Sequence, residues 1–147
     1  MKCRGCGAGL HVPLIDLGTA PPSNAYLRAD QLDQAEQWVP LRVLVCDSCW
    51  LVQTEDYRSA DSLFDADYAY FSSYSSSWLE HAQRYVTQMV ERFGLNAQSR
   101  VVEIAANDGY LLQYVAQRGI PCLGVEPTAS TARAAREKGL QIRELFF

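Results

Sequence analysis

The hydrophobic pattern divides the chain into three stretches. Up to about Thr54, apolar residues come in short runs broken by proline and glycine. VPLIDLG and VPLRVLVC read as strands, and APPSN between them as a loop. Pro13, Pro21, Pro22 and Pro40, four of the six prolines, fall here. From Glu55 to Gly94 the chain is first rich in Tyr and Ser and then turns helical. Trp78, Ala82, Tyr85, Val86, Met89, Val90 and Phe93 recur at the spacing of one helix face. Ser75 to Ser77 offer N-caps, Glu80 suits a capping box with Ser77, and Gly94 is the expected stop. In the last stretch, strand and helix patterns alternate. Val101–Ile104 is a strand, Tyr110–Gln117 a helix ending near Gly119, and Pro121 opens the strand CLGVE. Ala129–Lys138 is a helix stopped by Gly139, and Ile142–Phe146 a third strand. This βαβαβ order predicts a parallel sheet with its binding crevice at the carboxyl ends of the strands. The expected organisation is 1–54, 55–94 and 95–147, with no internal repeat.

Composition narrows the function classes. The 147 residues are 48% hydrophobic and 20% charged, as in ordinary globular proteins, and no apolar run has the length of a membrane span. The opening MKCRGCGAGLHV carries no export signal, so a cytoplasmic protein without membrane partners is expected. A net charge of −4 argues against a general nucleic-acid binder, which needs a basic surface. Arg133, Arg136 and Lys138 read as the solvated face of a helix.

The five cysteines add the first specific chemistry. Cys3-x-x-Cys6 and Cys46-x-x-Cys49 form two matched pairs, and Cys122, inside CLGVE, reads as a small apolar filler. Two thiolates from each of two tight turns complete the tetrahedral shell of a structural zinc ion. A redox dithiol, or free buried cysteines, is the rival reading. His11 is a weaker candidate ligand. The loop-rich residues around the pairs promise little core, so metal would hold them together.

The second signal is VVEIAANDGYLL, Val101–Leu112. It has the placement of a nucleotide-binding turn, but Ala105 and Asn107 stand where glycines approach a pyrophosphate, and only Gly109 remains. A wider turn with polar side chains is expected. Carboxylates end both strands, Glu103 in the first and Glu126 in the second. S-Adenosylmethionine lacks phosphate but carries an ammonium, a sulfonium and a ribose diol. Glu103 suits the cationic methionine end, Glu126 the ribose hydroxyls, and the backbone of Ala105–Gly109 the methionine part. An NAD-type ligand, or a plain βαβ unit with two solvated glutamates, is the alternative. Before this turn, Tyr68, Tyr70, Phe71 and Tyr74 crowd into seven residues, which suits either a ligand pocket or a packed aromatic cluster.

CRGCG, DLGTAPPSNAYL, CDSCWLVQ, DYAYFSSYSSSWLEHA, VVEIAANDGYLL and GIPCLGVEP together resemble the S-adenosylmethionine-dependent sugar C-methyltransferases, in order and over nearly the whole chain. The resemblance implies a four-cysteine zinc subdomain followed by the first part of a Rossmann-like class I methyltransferase sheet. It implies a nucleotide-linked 4-keto-deoxysugar of antibiotic pathways as substrate. Cys3, Cys6, Cys46 and Cys49 match the zinc ligands. Glu103, Ala105, Ala106, Asn107, Asp108, Gly109, Tyr110 and Leu111, with Glu126, Pro127 and His81, match cofactor positions. Tyr68 or Tyr70 matches an active-site tyrosine. That family has a seven-stranded sheet and a further C-terminal α/β domain, with the proton-abstracting residues in the second half. The chain is therefore expected to be an inactive front portion whose first strand has an open edge, completed by a C-terminal half or a second copy. The alternative is a non-catalytic zinc module binding protein or nucleic acid.

Overall fold

In a computed structural model, residues 1–64 and 68–147 are described; 65–67, at the start of the Tyr- and Ser-rich stretch, lie outside the described residues. The chain divides into two units, Met1–Leu63 and Phe64–Phe147.

In the first unit, β1 (Val12–Ala20), β2 (Val39–Val45) and β3 (Val52–Thr54) form an antiparallel sheet in that order, and a single helical turn, α1 (Ala60–Leu63), follows. The first two strands lie where the apolar runs placed them. β3 was not foreseen, because three residues are too few for an alternation to show. The pairing of β1 with β2 is broken by irregularities after Pro13 and Asp16. Pro13 has no N–H to give, and Gly18 takes φ +79°. Buried apolar residues are few: Leu10 and Leu44 pack with Cys3 and Cys46, and Ala8 lies against them.

In the second unit, α2 (Ser76–Phe93) leads to β4 (Val101–Ile104), α3 (Leu112–Ala116), β5 (Cys122–Val125), α4 (Ala129–Glu137) and β6 (Ile142–Arg143). The sheet is parallel, in the order β4-β5-β6. Leu112 of α3 and Ala135 of α4 meet Val101, Cys122 and Ile142, so both helices cover the same sheet face. Val86 and Val90 of α2 pack with Val115 and Ile120 beside them. On the other face, Val102 and Ile104 of β4 are 58% and 52% exposed, while Val125 of β5 is buried. Among the described residues, β4 pairs only with β5 and leaves one edge open.

The structure chooses among the expected caps and moves some boundaries. The N-cap of α2 is Ser75, whose Oγ accepts the Trp78 N–H at 3.3 Å. Glu80 therefore sits beyond capping reach of Ser77 and faces Arg84, one turn on, at 3.9 Å. Replacing Ser75 with alanine should cost about 1 kcal/mol of stability in the second unit, seen as a lower urea midpoint; an unchanged midpoint would remove the cap from the account. α3 starts at Leu112 because the turn before it still contains a left-handed residue, Gly109 (φ +77°). A Cβ there would lie 2.2 Å from Leu140 Cδ1. β6 is two residues long, and the apolar run to Phe146 continues without strand pairing.

Candidate functional site

The two CxxC turns are built alike. Gly7 N–H donates to Cys3 O (2.9 Å) and Trp50 N–H to Cys46 O (2.9 Å). Each turn closes on a left-handed residue, Gly7 at φ +77° and Trp50 at φ +64°. Tryptophan in that conformation costs energy that glycine avoids, and Trp50 is also 75% exposed. The four Sγ atoms lie within 4.8 Å of one another, with Cys3–Cys49 and Cys6–Cys46 each at 3.6 Å. A zinc–thiolate tetrahedron with bonds of about 2.3 Å has sulfur–sulfur edges of about 3.8 Å. A disulfide would need about 2.05 Å. The donor set therefore fits a four-thiolate zinc site, and no disulfide joins these sulfurs. His11 is outside the cluster; its ring lies against Gly9.

The metal-free thiols behave as a set. The Cys6 N–H, then the Gln53 amide, pull the Cys3 thiol down to about 6. The Leu51 N–H lowers Cys49, but Cys3, Cys6, burial and Cys46 outweigh it and push Cys49 up to about 12. The Cys3 thiolate is easy to form, whereas those of Cys6 and Cys49 are not until a cation neutralises the cluster. Gln53 is a residue that the sequence reading missed. It is buried, donates to Cys3 Sγ at 3.3 Å and accepts the Arg4 N–H at 3.1 Å.

In the second unit, the glycine-poor turn keeps a glycine-type backbone. Ala105, Asn107 and Gly109 have φ +59°, +50° and +77°. The expectation of a wider turn is corrected in this respect: the left-handed conformations persist at alternate positions, and side chains have been added to them. Asn tolerates this region better than most residues. Its side chain is used: Asn107 Oδ1 accepts the Ser72 N–H (2.9 Å), and Nδ2 donates to Tyr70 O (3.1 Å). Asp108 Oδ2 accepts the Ser73 N–H at 3.3 Å. The Tyr- and Ser-rich segment is thus seated on this turn.

Glu126 is buried, 4% exposed. Its Oε2 accepts the Asn107 N–H (2.8 Å), while Oε1 accepts both the N–H and the hydroxyl of Thr128 (3.0 and 2.5 Å). Three of about four acceptor positions are filled, so the free one lies on Oε2. Glu103 differs. Its Oε2 is buried without a partner, and burial, reinforced by the nearby Glu126 charge against one Leu112 N–H, raises its carboxyl to about 7. Tyr110 is raised by burial and by the charges of Glu103, Tyr70 and Asp108, so these groups share one electrostatic neighbourhood. His81 and Tyr110 both stack on Trp78, with centroids 5.0 and 5.9 Å away. Tyr68 pairs with Phe64 at 5.3 Å. Ala106 and Gly109 are buried in the turn, and Ala106 N–H donates to Val125 O. Leu111 packs beside Val115, and Pro127 lies between Glu126 and Thr128. Burial, then the Glu103 charge, raises the Cys122 thiol, which fits its place as a partly buried filler.

Lys138 does more than the solvated-face reading expected. It is exposed, yet Nζ donates to Ser73 Oγ and Asp108 O, both at 2.7 Å, and lies 3.4 Å from Asp108 Oδ2. Arg136 likewise holds Glu144 (2.9 Å) and Ile142 O (3.2 Å). All three keep the exposed positions expected of them, so the solvated face stands, with Lys138 and Arg136 tied down on it.

Comparison with known proteins matches these two halves. Residues 3–64 match the family model described as "Putative zinc binding domain" (Methyltransf_13). Over 140 residues, 95% of the chain, the sequence is 31% identical to C-methyltransferase NovU of Streptomyces niveus. The chain spans 33% of that relative's length. The resemblance drawn from the motifs is thereby supported across both units: the chain is a relative of a C-methyltransferase, and its first unit carries the zinc-binding domain of that family model.

Proposed function

We propose that this chain forms the zinc-binding and cofactor-binding portion of an S-adenosylmethionine-dependent C-methyltransferase acting on a nucleotide-linked 4-keto-deoxysugar. The observation that carries the reading is Glu103: a buried, unpartnered carboxylate oxygen at a parallel strand end, awaiting a cationic group. The zinc is structural in this reading, because four thiolates leave no open coordination position. Five cysteines without a disulfide and the lack of a helix long and apolar enough to cross a membrane, among the described residues, are compatible with the cytoplasm, where we place the protein.

S-Adenosylmethionine would supply an electrophilic methyl group on a sulfonium. Glu103 would hold the methionine ammonium, and the remaining acceptor position of Glu126 one ribose hydroxyl. The stacked ring of Tyr110 and the strap tyrosines Tyr68 and Tyr70 would wall the site and exclude water. A proton must leave the carbon beside the keto group before that carbon can take the methyl. We assign that step to polypeptide outside these residues. The same polypeptide would add strands at the open edge of β4 and cover Val102 and Ile104.

Calorimetric titration with S-adenosylhomocysteine tests the proposal. The chain is expected to bind it, and Glu126→Ala to bind about tenfold more weakly, since one hydrogen bond to a charged group is lost and the turn loosens. No heat with S-adenosylhomocysteine, or saturable binding of NAD in its place, would overturn the reading.

A further inference from the structure

The segment Tyr68–Ser75 crosses the strand ends with an unusual set of anchors. Within six residues, four main-chain groups are taken by side chains from elsewhere in the unit. Tyr68 O accepts from Ser130 Oγ at 3.0 Å, and Tyr70 O from Asn107 Nδ2. Ser72 N–H and Ser73 N–H donate to Asn107 and Asp108. Lys138 then bridges Ser73 Oγ and the Asp108 main chain. An ordinary surface loop would leave these groups to water. Asp108 is 3% exposed, with Oδ1 lacking any partner. Residues selected for stability alone seldom leave a buried oxygen in that state.

Asn107 also faces the other way. Its N–H holds Glu126 Oε2 while its side chain holds the strap. One residue thus joins the crevice carboxylate to the segment carrying Tyr68 and Tyr70.

We propose that Asn107, Asp108 and Lys138, with Ser130, form a latch that seats the Tyr68–Ser75 strap over the strand ends, making them positioning residues for the tyrosines and for the cofactor crevice. The side chains of Asn107 and Asp108 act on the strap, and reach the cofactor through it. This rests on the cofactor reading above for what the crevice binds, but the latch itself is independent of it. Because Glu126 and the strap share Asn107, occupancy of the crevice and seating of the strap are linked, and linkage is reciprocal. Ligand tightens the strap, and a loosened strap weakens the ligand.

Amide hydrogen exchange on the zinc-loaded chain, with and without S-adenosylhomocysteine, reads both sides. Asn107→Gly is the informative variant, since glycine keeps the left-handed backbone and removes only the clamp. Lys138→Met is the second, distant from the turn in sequence. Both should speed exchange at Ser72 and Ser73 by about tenfold or more, the scale of one lost hydrogen bond, while Val86–Val90 of α2 exchange as before. Lys138→Arg should restore most of the protection. Added S-adenosylhomocysteine should slow Ser72 and Ser73 further in the parent chain, and bind several-fold more weakly to both variants. Unchanged exchange at Ser72 and Ser73 in both variants would overturn the latch. Faster exchange with undiminished ligand affinity would overturn the positioning role. If the parent chain binds no S-adenosylhomocysteine, the cofactor reading fails, and the exchange rates still decide the latch.

Discussion

Replacing Cys46 with alanine should abolish zinc binding and unfold the first unit while the second keeps its structure. The reason is the scarcity of any other core. Leu10 and Leu44 are the buried aliphatics packed with Cys3 and Cys46, so half of that cluster is the metal-binding set itself. Surface hydrogen bonds such as Arg42 with Glu55 and Tyr57 (2.6 and 2.9 Å) add little in water. Zinc binding to four thiolates supplies roughly 10–16 kcal/mol in small domains, far above what this apolar cluster can give. Three thiolates around one ion lose both a bond and the closed shell, and Cys46 is itself buried beside Leu44. The experiment pairs metal analysis with amide NMR dispersion. The parent chain should hold zinc and show dispersed signals from β1, β2 and β3. The variant should hold none and lose those signals, while α2 and α4 keep theirs. A chelator should reproduce the result on the parent chain. Retained zinc and unchanged dispersion in the variant would show that the cysteines are not what organises this unit.

The contrast between the two sites shows which features a sequence displays. The cysteine pairs were legible because ligand spacing is local: Cys-x-x-Cys places two thiolates on one turn whatever surrounds it. Gln53 was not, because no local pattern marks an amide that reaches a thiolate from a three-residue strand. α2 was legible over its whole length from the 3.6 period of Trp78, Ala82, Tyr85, Val86 and Met89. Its cap was narrowed only to Ser75–Ser77, and the capping box was placed on the wrong one, because the three serines are equivalent in sequence and only backbone geometry chooses among them. The partners of Lys138 were hidden for a similar reason: a helical wheel shows which face is polar, not which segment its side chains reach. The turn is the most instructive case. Missing glycines suggested a different backbone, yet Ala105 and Asn107 retain left-handed conformations. What changed is what the turn can hold. With an amide in place of a hydrogen atom, it grips a strap of its own chain. Both strand-end carboxylates were named from sequence, but how far the protein's own groups engage each of them was not. Glu126 is engaged by Asn107 and Thr128, and Glu103 keeps one oxygen unpartnered.

That difference leads to the second large effect. Glu103→Gln should stabilise the second unit above neutral pH and, in the same pH range, remove most of its affinity for S-adenosylhomocysteine. The folded-state carboxyl is raised to about 7, chiefly by burial, whereas an unfolded chain has an ordinary glutamate near 4.3. Below the unfolded value both states are protonated and no penalty exists. As pH rises towards 7 the unfolded state ionises first, so stability falls. Above about 7 the full penalty stands, at most on the order of 4 kcal/mol before solvent screening reduces it. Glutamine, always neutral, avoids it. Thermal or urea unfolding should therefore show parent and variant alike near pH 4.5 and the variant the more stable near pH 8. Ligand binding runs the opposite way. An ammonium opposite Glu103 favours the ionised form, so binding releases a proton below about pH 7 and tightens up to about tenfold per unit there. The variant should lose this slope and bind about 100-fold more weakly near pH 8, the worth of a buried charge-assisted contact. Calorimetry near pH 6, 7 and 8, in buffers of different ionisation heats, measures affinity and proton release together. A pH slope that survives in Glu103→Gln would assign the proton to another group. Parent-like affinity in the variant near pH 8 would mean that the unpartnered oxygen faces no cation, and the strand-end site would need a different ligand.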